Sequence, residues 1–419
     1  MGKFIVRGGR PLNGSVQIQG SKNAVLPILA ASLLNKGTCK LNYCPNLRDV
    51  NVAIEILNIV GAETTFVDHT IRTSCKEIKE TVVPNHLATE MRSSIIFLGP
   101  MLARCKEISI SYPGGCEIGP RPIDIHIKAL KKMGAEIFFA NEGILCCKAK
   151  ELIGCEMNLD YPSVGATENI MLAAVYAKGR TIINNPAKEP EIISLQNFLK
   201  AMGVSLYGAG SGRIVVEGGN DIECDMEFDI IPDRIEAGTI MAAAAITEGD
   251  LVLQNITPAH IRPIILKMTE AGCEIQEWED SLRITAPKKL KAVDIIRTSP
   301  YPGFPTDMQP QMVSMLTVAQ GTSITIETVF DNRFGYVEEL KKMGADVFIE
   351  GRAAVIKGIP ELAGSYVKSK DLRGGAALIL AGLAAKGETV VDGAVHIERG
   401  YDRIEEKLRS VGASIIKID

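Results

Sequence analysis

A chain of 419 residues, 46% hydrophobic and 23% charged, has the balance of a globular protein with large cores and room for two or three domains. Its formal charge of −4 gives no reason to expect nucleic acid or an anionic membrane as a partner, and no apolar run approaches the roughly 18 residues that span a bilayer. The N-terminal MGKFIVRGGRPLNG carries no secretory apolar stretch or cleavage site, and the ten cysteines lack C-x-x-C pairs. The expectation is a soluble cytoplasmic protein with free thiols.

In chain order, FIVRGGRPLNGSVQIQ, from Phe4, reads as a hairpin of two strands about a turn. NAVLPILAASLLNKGTCKL, from Asn23, reads as an apolar helix, a glycine and a β-rich strand. ILNIVGAE, ending at Glu63, reads as the close of a second helix, a glycine and another strand. The same pair returns as RSSIIFLGPMLARCKEISI with ALKKMGAE, ENIMLAAVYAKGRTII with FLKAMGVS, and RIEAGTIMAAAAITEGDLVL with KMTEAGCE. It returns twice more as QPQMVSMLTVAQGTSITI with ELKKMGAD and GGAALILAGLAAKGETVV with KLRSVGAS. AAVIKGIPELAGSYVKS, from Ala353, resembles the opening hairpin. The glycines after the second helix, Gly61, Gly134, Gly203, Gly272, Gly344 and Gly412, lie 73, 69, 69, 72 and 68 residues apart. The chain is therefore six units of about 70 residues, too long for ordinary solenoid repeats, each made of hairpin, helix, strand, helix and strand.

The two helices of a unit differ in kind. The first is apolar nearly all round, as in IMAAAAI, which marks a buried helix. The second is amphipathic: Ile127, Leu130 and Met133 share one face, and Lys128, Lys131 and Lys132 the other. Interior helices and solvent-facing ones with strands between them predict sheet-walled α/β domains of three units each. DIIPD, at 229–233, interrupts the pattern near the middle, and the N-terminal hairpin precedes the first helix, so it is expected to pair back with the last unit. That divides the chain into residues 1–21 with 230–419 and residues 22–229, with an active site in the cleft between.

Polar residues gather at the starts of the buried helices, where unsatisfied N–H groups favour anions. They are Lys22 with Asn23, Arg92, Thr167, Asp233 with Arg234, Asp307, and Asp371 with Arg373; Arg48, Arg121, Glu189, Arg333 and Arg399 follow the first helices. Each one alone reads as a cap or a solvated loop charge, but their recurrence at one end of every unit suits a substrate with several phosphates or carboxylates. In SYPGGCEIGPRPID, Cys116 stands among glycines with Arg121 five residues on, a setting that can lower a thiol pKa. Its spacing alone is equally compatible with chemistry and with an inert thiol; the other nine cysteines read as small buried hydrophobes.

GSKNAVLPILAASLL, Arg92-Ser93, PGGCEIGPRPIDIH, PSVGATENIM, PTDMQPQ, IETVFDNRF and DLRGGAALILAGLAAKG together resemble the enolpyruvyl transferase family of the UDP-N-acetylglucosamine 1-carboxyvinyltransferase type, over essentially the whole chain. The resemblance implies two inside-out α/β barrel domains, each of three βαβαββ-type units, six in all. It implies addition of the sugar 3-hydroxyl to phosphoenolpyruvate and then elimination of phosphate, with these two small molecules as partners and no metal or other cofactor. Cys116 matches the family's loop thiol, its proton donor and the target of fosfomycin; Asp307 matches the base. Lys22, Asn23, Arg121, Arg373 and Arg399 match positions around phosphoenolpyruvate, with Lys22 and Arg399 also in the catalytic set. Asn23, Arg92, Arg121, Pro122, Ile123, Asp124, Ile125, Tyr161, Ser163, Val164, Asp307 and Val329 match sugar-nucleotide positions, and Asp371 and Arg333 further cleft residues.

Some positions depart from the family's commonest form. Tyr161-Pro162 stands where some members carry Lys-Val, so the contact at the uracil end is expected to differ, and Glu117 and Pro120 flank the loop where small residues are frequent. Three other readings compete. The shikimate-pathway relative, 5-enolpyruvylshikimate-3-phosphate synthase, shares the six-unit fold but lacks the Cys loop and is expected to carry a GSKS-type motif at GSKNA. A ring-like scaffold would show a basic inner surface, and a dinucleotide enzyme would need GAGSG, at 208–212, in a strand-to-helix turn that this segment does not make. The five histidines show no paired ligand spacing.

Overall fold

The computed structural model describes residues 2–112, 123–140 and 143–419, and its described residues fall into two units, one of residues 20–112 with 123–231 and one of residues 2–19 with 232–419. Among the described residues the chain passes between units after Gln19 and after Ile231.

The first unit holds helices α1 (Lys22–Ser32), α2 (Arg48–Val60), α3 (Asn85–Glu90), α4 (Leu98–Cys105), α5 (Asp124–Lys132), α6 (Val164–Ala174) and α7 (Pro190–Ala201). The second holds α8 (Arg234–Ile246), α9 (Arg262–Glu270), α10 (Gln309–Leu316), α11 (Val337–Lys342), α12 (Leu372–Ala384), α13 (Ala394–Ile397) and α14 (Ile404–Ser410). Helices α1, α4, α6, α8, α10 and α12 carry the all-apolar repeat and form the interior of their units; α8, for example, is buried from Ile235 to Ile246. Helix α2 shows the other type. It buries Val52, Ala53, Ile56, Leu57 and Val60 and turns its remaining faces outward, the stripe that a 3.6-residue period puts on one side.

Each unit is walled by three four-stranded sheets of one design. In the first, Thr38–Asn42 pairs in parallel with Met226–Asp229 and antiparallel with Thr70–Ser74, which in turn pairs with Glu63–Val67. In four of the six sheets the strand before a buried helix and the strand after it are parallel neighbours, whereas Met226–Asp229, before α8, pairs with the strand after α1, and Asn13–Gln17, before α1, with the strand after α8. The two strands after the amphipathic helix close five of the sheets, and Ser414–Ile418 with Lys3–Arg7 closes the sixth. The six repeat glycines that end or follow the amphipathic helices all have φ between 90° and 113°, the left-handed turn that a residue with a Cβ adopts at a cost. This is the βαβαββ unit, present six times.

The opening segment differs from the hairpin its sequence suggests. Lys3–Arg7 lies between Glu388–Asp392 and Ser414–Ile418 in the sheet of the last unit, whereas Asn13–Gln17 pairs in parallel with Asp250–Gln254 in another sheet. The similar segment from Ala353 behaves alike: Ala353–Lys357 closes one sheet and Tyr366–Lys368 opens the next. The glycine between them explains the misreading. A Cβ on Gly8 would lie 2.3 Å from the Ala385 carbonyl oxygen, and one on Gly358 only 1.5 Å from that of Ala319. Glycine here lets the chain press over the end of a buried helix and enter the neighbouring sheet, rather than fold back on itself.

Candidate functional site

In the first unit, Lys22 is the first residue of α1 and its ammonium meets the Asp49 carboxylate at 2.7 Å, with the two side chains 10% and 2% exposed. Asp49 heads the buried stripe of α2, so the ion pair ties the start of the buried helix to its amphipathic partner. A cation held at the positive end of a helix, its own charge offset by a buried carboxylate, leaves the helix N–H groups for an anion. Asn23 is half-buried beside it. Arg92 opens the 3-10 turn Arg92–Phe97 that runs into α4. Ile123 is buried, Asp124 exposed and Ile125 half-buried at the start of α5. Tyr161 is 40% exposed, and Ser163 caps α6 by accepting the N–H of Ala166 at 3.3 Å, the ordinary N-cap arrangement. Inside the same helix Glu168 is buried, and burial with the nearby Glu191 and Glu189 carboxylates pushes its pKa well above the ordinary range.

In the second unit the centre is Asp307, in the 3-10 turn Thr306–Met308. Its Oδ1 accepts from Arg333 Nη2 at 2.9 Å and its Oδ2 from Arg373 Nη2 at 3.3 Å. The guanidinium side chains are 2% and 3% exposed and the carboxylate 28%. A carboxylate gripped on each oxygen by a buried guanidinium has one orientation. Arg373 is fixed at both ends. Its backbone N–H donates to the Asp371 carboxylate that caps α12, and its guanidinium lies 5.2 Å from the centroid of the buried Tyr401 ring. Asp371 and Asp233, expected among cleft residues and helix-start charges, are both helix caps.

The buried Glu327 joins the Asp307 turn to Val329. Its Oε1 accepts from Thr298 Oγ1 at 2.8 Å, Val329 N–H at 2.8 Å and Phe330 N–H at 3.1 Å, and its Oε2 from Thr306 Oγ1 at 2.9 Å. One carboxylate thus holds the residues next to Asp307 and the start of the following loop.

The structure therefore gathers Asp307, Arg333, Arg373 and Val329 around one network, and places Arg399 in the turn after α13 of the same unit. Lys22, Asn23, Arg92, Ile123, Asp124, Ile125, Tyr161, Ser163 and Val164 all sit at helix starts or just before them in the other unit. Cys116, Arg121 and Pro122 lie outside the described residues. The nine described cysteines are free thiols, and burial pushes that of Cys39 up to about 11 and that of Cys44 to about 12, away from nucleophilic use. Among the described residues no group of His, Cys, Asp or Glu stands in a metal-ligating arrangement, and no helix is long and apolar enough to cross a membrane.

Sequence reasoning passed over Asp49 and Glu327. Asp49 was findable, because it heads the apolar series Val52, Ala53, Ile56, Leu57 and Val60, where a charge needs a partner. Glu327 follows a strand in a motif that the sequence reading quotes, but nothing local tells a buried acceptor from an exposed strand-end carboxylate.

The family model for EPSP synthase (3-phosphoshikimate 1-carboxyvinyltransferase) matches residues 6–408. The chain is 52% identical over 418 residues to UDP-N-acetylglucosamine 1-carboxyvinyltransferase 2 of Caldanaerobacter subterraneus subsp. tengcongensis, covering 100% of both chains. It is 48% identical to UDP-N-acetylglucosamine 1-carboxyvinyltransferase of Halothermothrix orenii, again covering 100% of both. Among solved structures, the enolpyruvyl transferase NikO from Streptomyces tendae superposes with a TM-score of 0.90 at 22% identity, over 100% of this chain and 99% of that one. EPSP synthase from Acinetobacter baumannii does so with a TM-score of 0.78 at 18% identity, over 100% of both chains. These two show the fold: the sheet-walled unit with interior helices is that of the enolpyruvyl transferases.

Proposed function

The chain belongs to the family of UDP-N-acetylglucosamine 1-carboxyvinyltransferases, and we propose that it transfers the enolpyruvyl group of phosphoenolpyruvate to the 3-hydroxyl of UDP-N-acetylglucosamine. Phosphate is released, in the cytoplasm, at the first committed step of peptidoglycan precursor synthesis. The observation that carries this reading is the 52% identity, end to end, to a relative of that name.

In this reading the sugar 3-hydroxyl oxygen attacks C2 of phosphoenolpyruvate while C3 gains a proton. Loss of a C3 proton from the tetrahedral phospholactoyl species then expels phosphate and restores the double bond. Asp307 takes the hydroxyl proton, and its two arginine contacts hold it in the single orientation that general-base catalysis rewards. Lys22, Arg121, Arg373 and Arg399, with Asn23, hold the phosphate and carboxylate of phosphoenolpyruvate. These cations supply the positive charge the reaction needs, so it calls for no metal. Arg92, Arg121 to Ile125, Tyr161, Ser163, Val164 and Val329 hold the sugar nucleotide, and Cys116 delivers the C3 proton.

Phosphate release from phosphoenolpyruvate, assayed with UDP-N-acetylglucosamine and separately with shikimate 3-phosphate, tests the reading. Release with the sugar nucleotide alone is expected; release with shikimate 3-phosphate alone overturns it. Replacing Cys116 by Asp, which keeps a proton donor and removes the thiol, is expected to retain turnover and escape fosfomycin. Inactivation of Cys116→Asp by fosfomycin at the wild-type rate removes Cys116 from that role.

A further inference from the structure

The side chain of Asn169, fully buried in α6, touches three other parts of its unit. Its Oδ1 lies 2.7 Å from the N–H of Gly99 in α4, and its Nδ2 lies 3.0 Å from the carbonyl of Ile95 and 2.9 Å from Nδ1 of His126 in α5. The chemistry of these partners permits one arrangement of protons. A backbone N–H only donates, so the atom facing Gly99 is the amide oxygen; a carbonyl only accepts, so the atom facing Ile95 is the NH₂. That NH₂ also faces His126, so Nδ1 is the bare acceptor and Nε2 carries the proton. His126 is 7% exposed, and its Cε1 would stand 3.1 Å from a Cβ on Gly165, so the ring packs on the first turn of α6.

The elements so joined are the 3-10 turn begun by Arg92, the start of α5 with Asp124 and Ile125, and the start of α6 with Ser163 and Val164. We propose that Asn169 and His126 are positioning residues for the sugar nucleotide, holding these three chain starts at one fixed spacing through the Asn169 amide. This rests on the sugar-nucleotide reading above and goes beyond it by assigning two buried residues outside the matched sugar-nucleotide positions. A fully satisfied buried amide with no alternative pairing is suited to this, because any shift of one start breaks a bond that water cannot replace.

The test compares His126→Asn with His126→Leu. The two replacements have the same shape, and only Asn offers an oxygen where Nδ1 stood. Calorimetry with UDP-N-acetylglucosamine and steady-state kinetics should show Kd and KM for the sugar nucleotide about tenfold higher in His126→Leu, with KM for phosphoenolpyruvate within about twofold of wild type. His126→Asn should stay within about threefold of wild type throughout. Equal sugar-nucleotide affinity in the two variants, or a parallel rise in both KM values, overturns the proposal. Should His126→Leu not fold, Gly165→Ala, whose methyl presses on the ring, is expected to give the same selective loss; wild-type KM values there overturn it. Nitrogen-15 NMR of His126 should report the Nε2–H tautomer, and the Nδ1–H form refutes the geometry. A wild-type protein that does not bind UDP-N-acetylglucosamine at all overturns the functional reading beneath it, whereas binding that His126→Leu leaves untouched overturns this inference alone.

Discussion

Asp307 and Glu327 are both carboxylates of the second unit, and their surroundings set them apart. Asp307 is 28% exposed and meets the buried cations Arg333 and Arg373, whereas all four contacts of Glu327 come from donors within 30 residues along the chain. If Asp307 is the base, Asp307→Ala should lower kcat by about 10²-fold or more while KM for the sugar nucleotide moves by less than about threefold. Equal losses in both would assign it to binding. The donors to Glu327 are all neutral, two hydroxyls and two backbone N–H groups. In Glu327→Gln the amide oxygen still accepts three of the bonds, and the NH₂ donates to Thr306 Oγ1, which a hydroxyl can accept. That variant is expected to keep activity within about threefold, and Glu327→Leu, which strands the Val329 and Phe330 N–H groups, to lose most of it. Identical activities would remove Glu327 from any role in holding Asp307.

The elements are joined by close approaches that tolerate little change. Gly358→Ala would set a Cβ 1.5 Å from a backbone oxygen that cannot rotate away. It should destabilise the protein by about 3 kcal/mol or more, while Gly212→Ala, with nothing within 4 Å, stays within about 0.5 kcal/mol. Urea unfolding of the two variants measures the difference. The contact between α5 and α6 also has a pH dependence. Burial lowers the pKa of His126 to about 4, from 6.5 in the unfolded chain. Between those values the unfolded chain takes up a proton that the folded one refuses, so this contribution is complete above about pH 6.5 and fades as pH falls towards 4. At about 1.4 kcal/mol per pH unit, the wild type should lose about 2–3 kcal/mol more between pH 7.5 and 4.5 than His126→Asn does. Equal losses would mean that the ring is charged in the folded protein.

At the scale of the whole molecule, the N-terminal strand is structural and central. Lys3–Arg7 is paired on both sides, and Asn13–Gln17 forms the edge of a second sheet. Deleting residues 2–19 should therefore prevent the second unit from folding, although that unit keeps all seven of its helices. A soluble truncated protein with the wild-type circular dichroism and a cooperative urea transition would refute this threading.

The sequence by itself determined the repeat, the two kinds of helix and the family. Each of these is written in local periodicity, in a glycine at a left-handed turn, or in motifs read one stretch at a time. Asp49 and His126 were also legible in principle, as polar residues heading the apolar stripes of α2 and α5. Tertiary structure alone decided which sheet each strand joins. Residues 4–19 have the pattern of a hairpin, and only the carbonyl of Ala385 pressing on Gly8 shows that the chain crosses from one sheet to another. It alone made Glu327 a hub and Asn169 a bridge among three elements. A side chain whose partners lie far off in sequence has none until those segments are brought within about 3 Å of it.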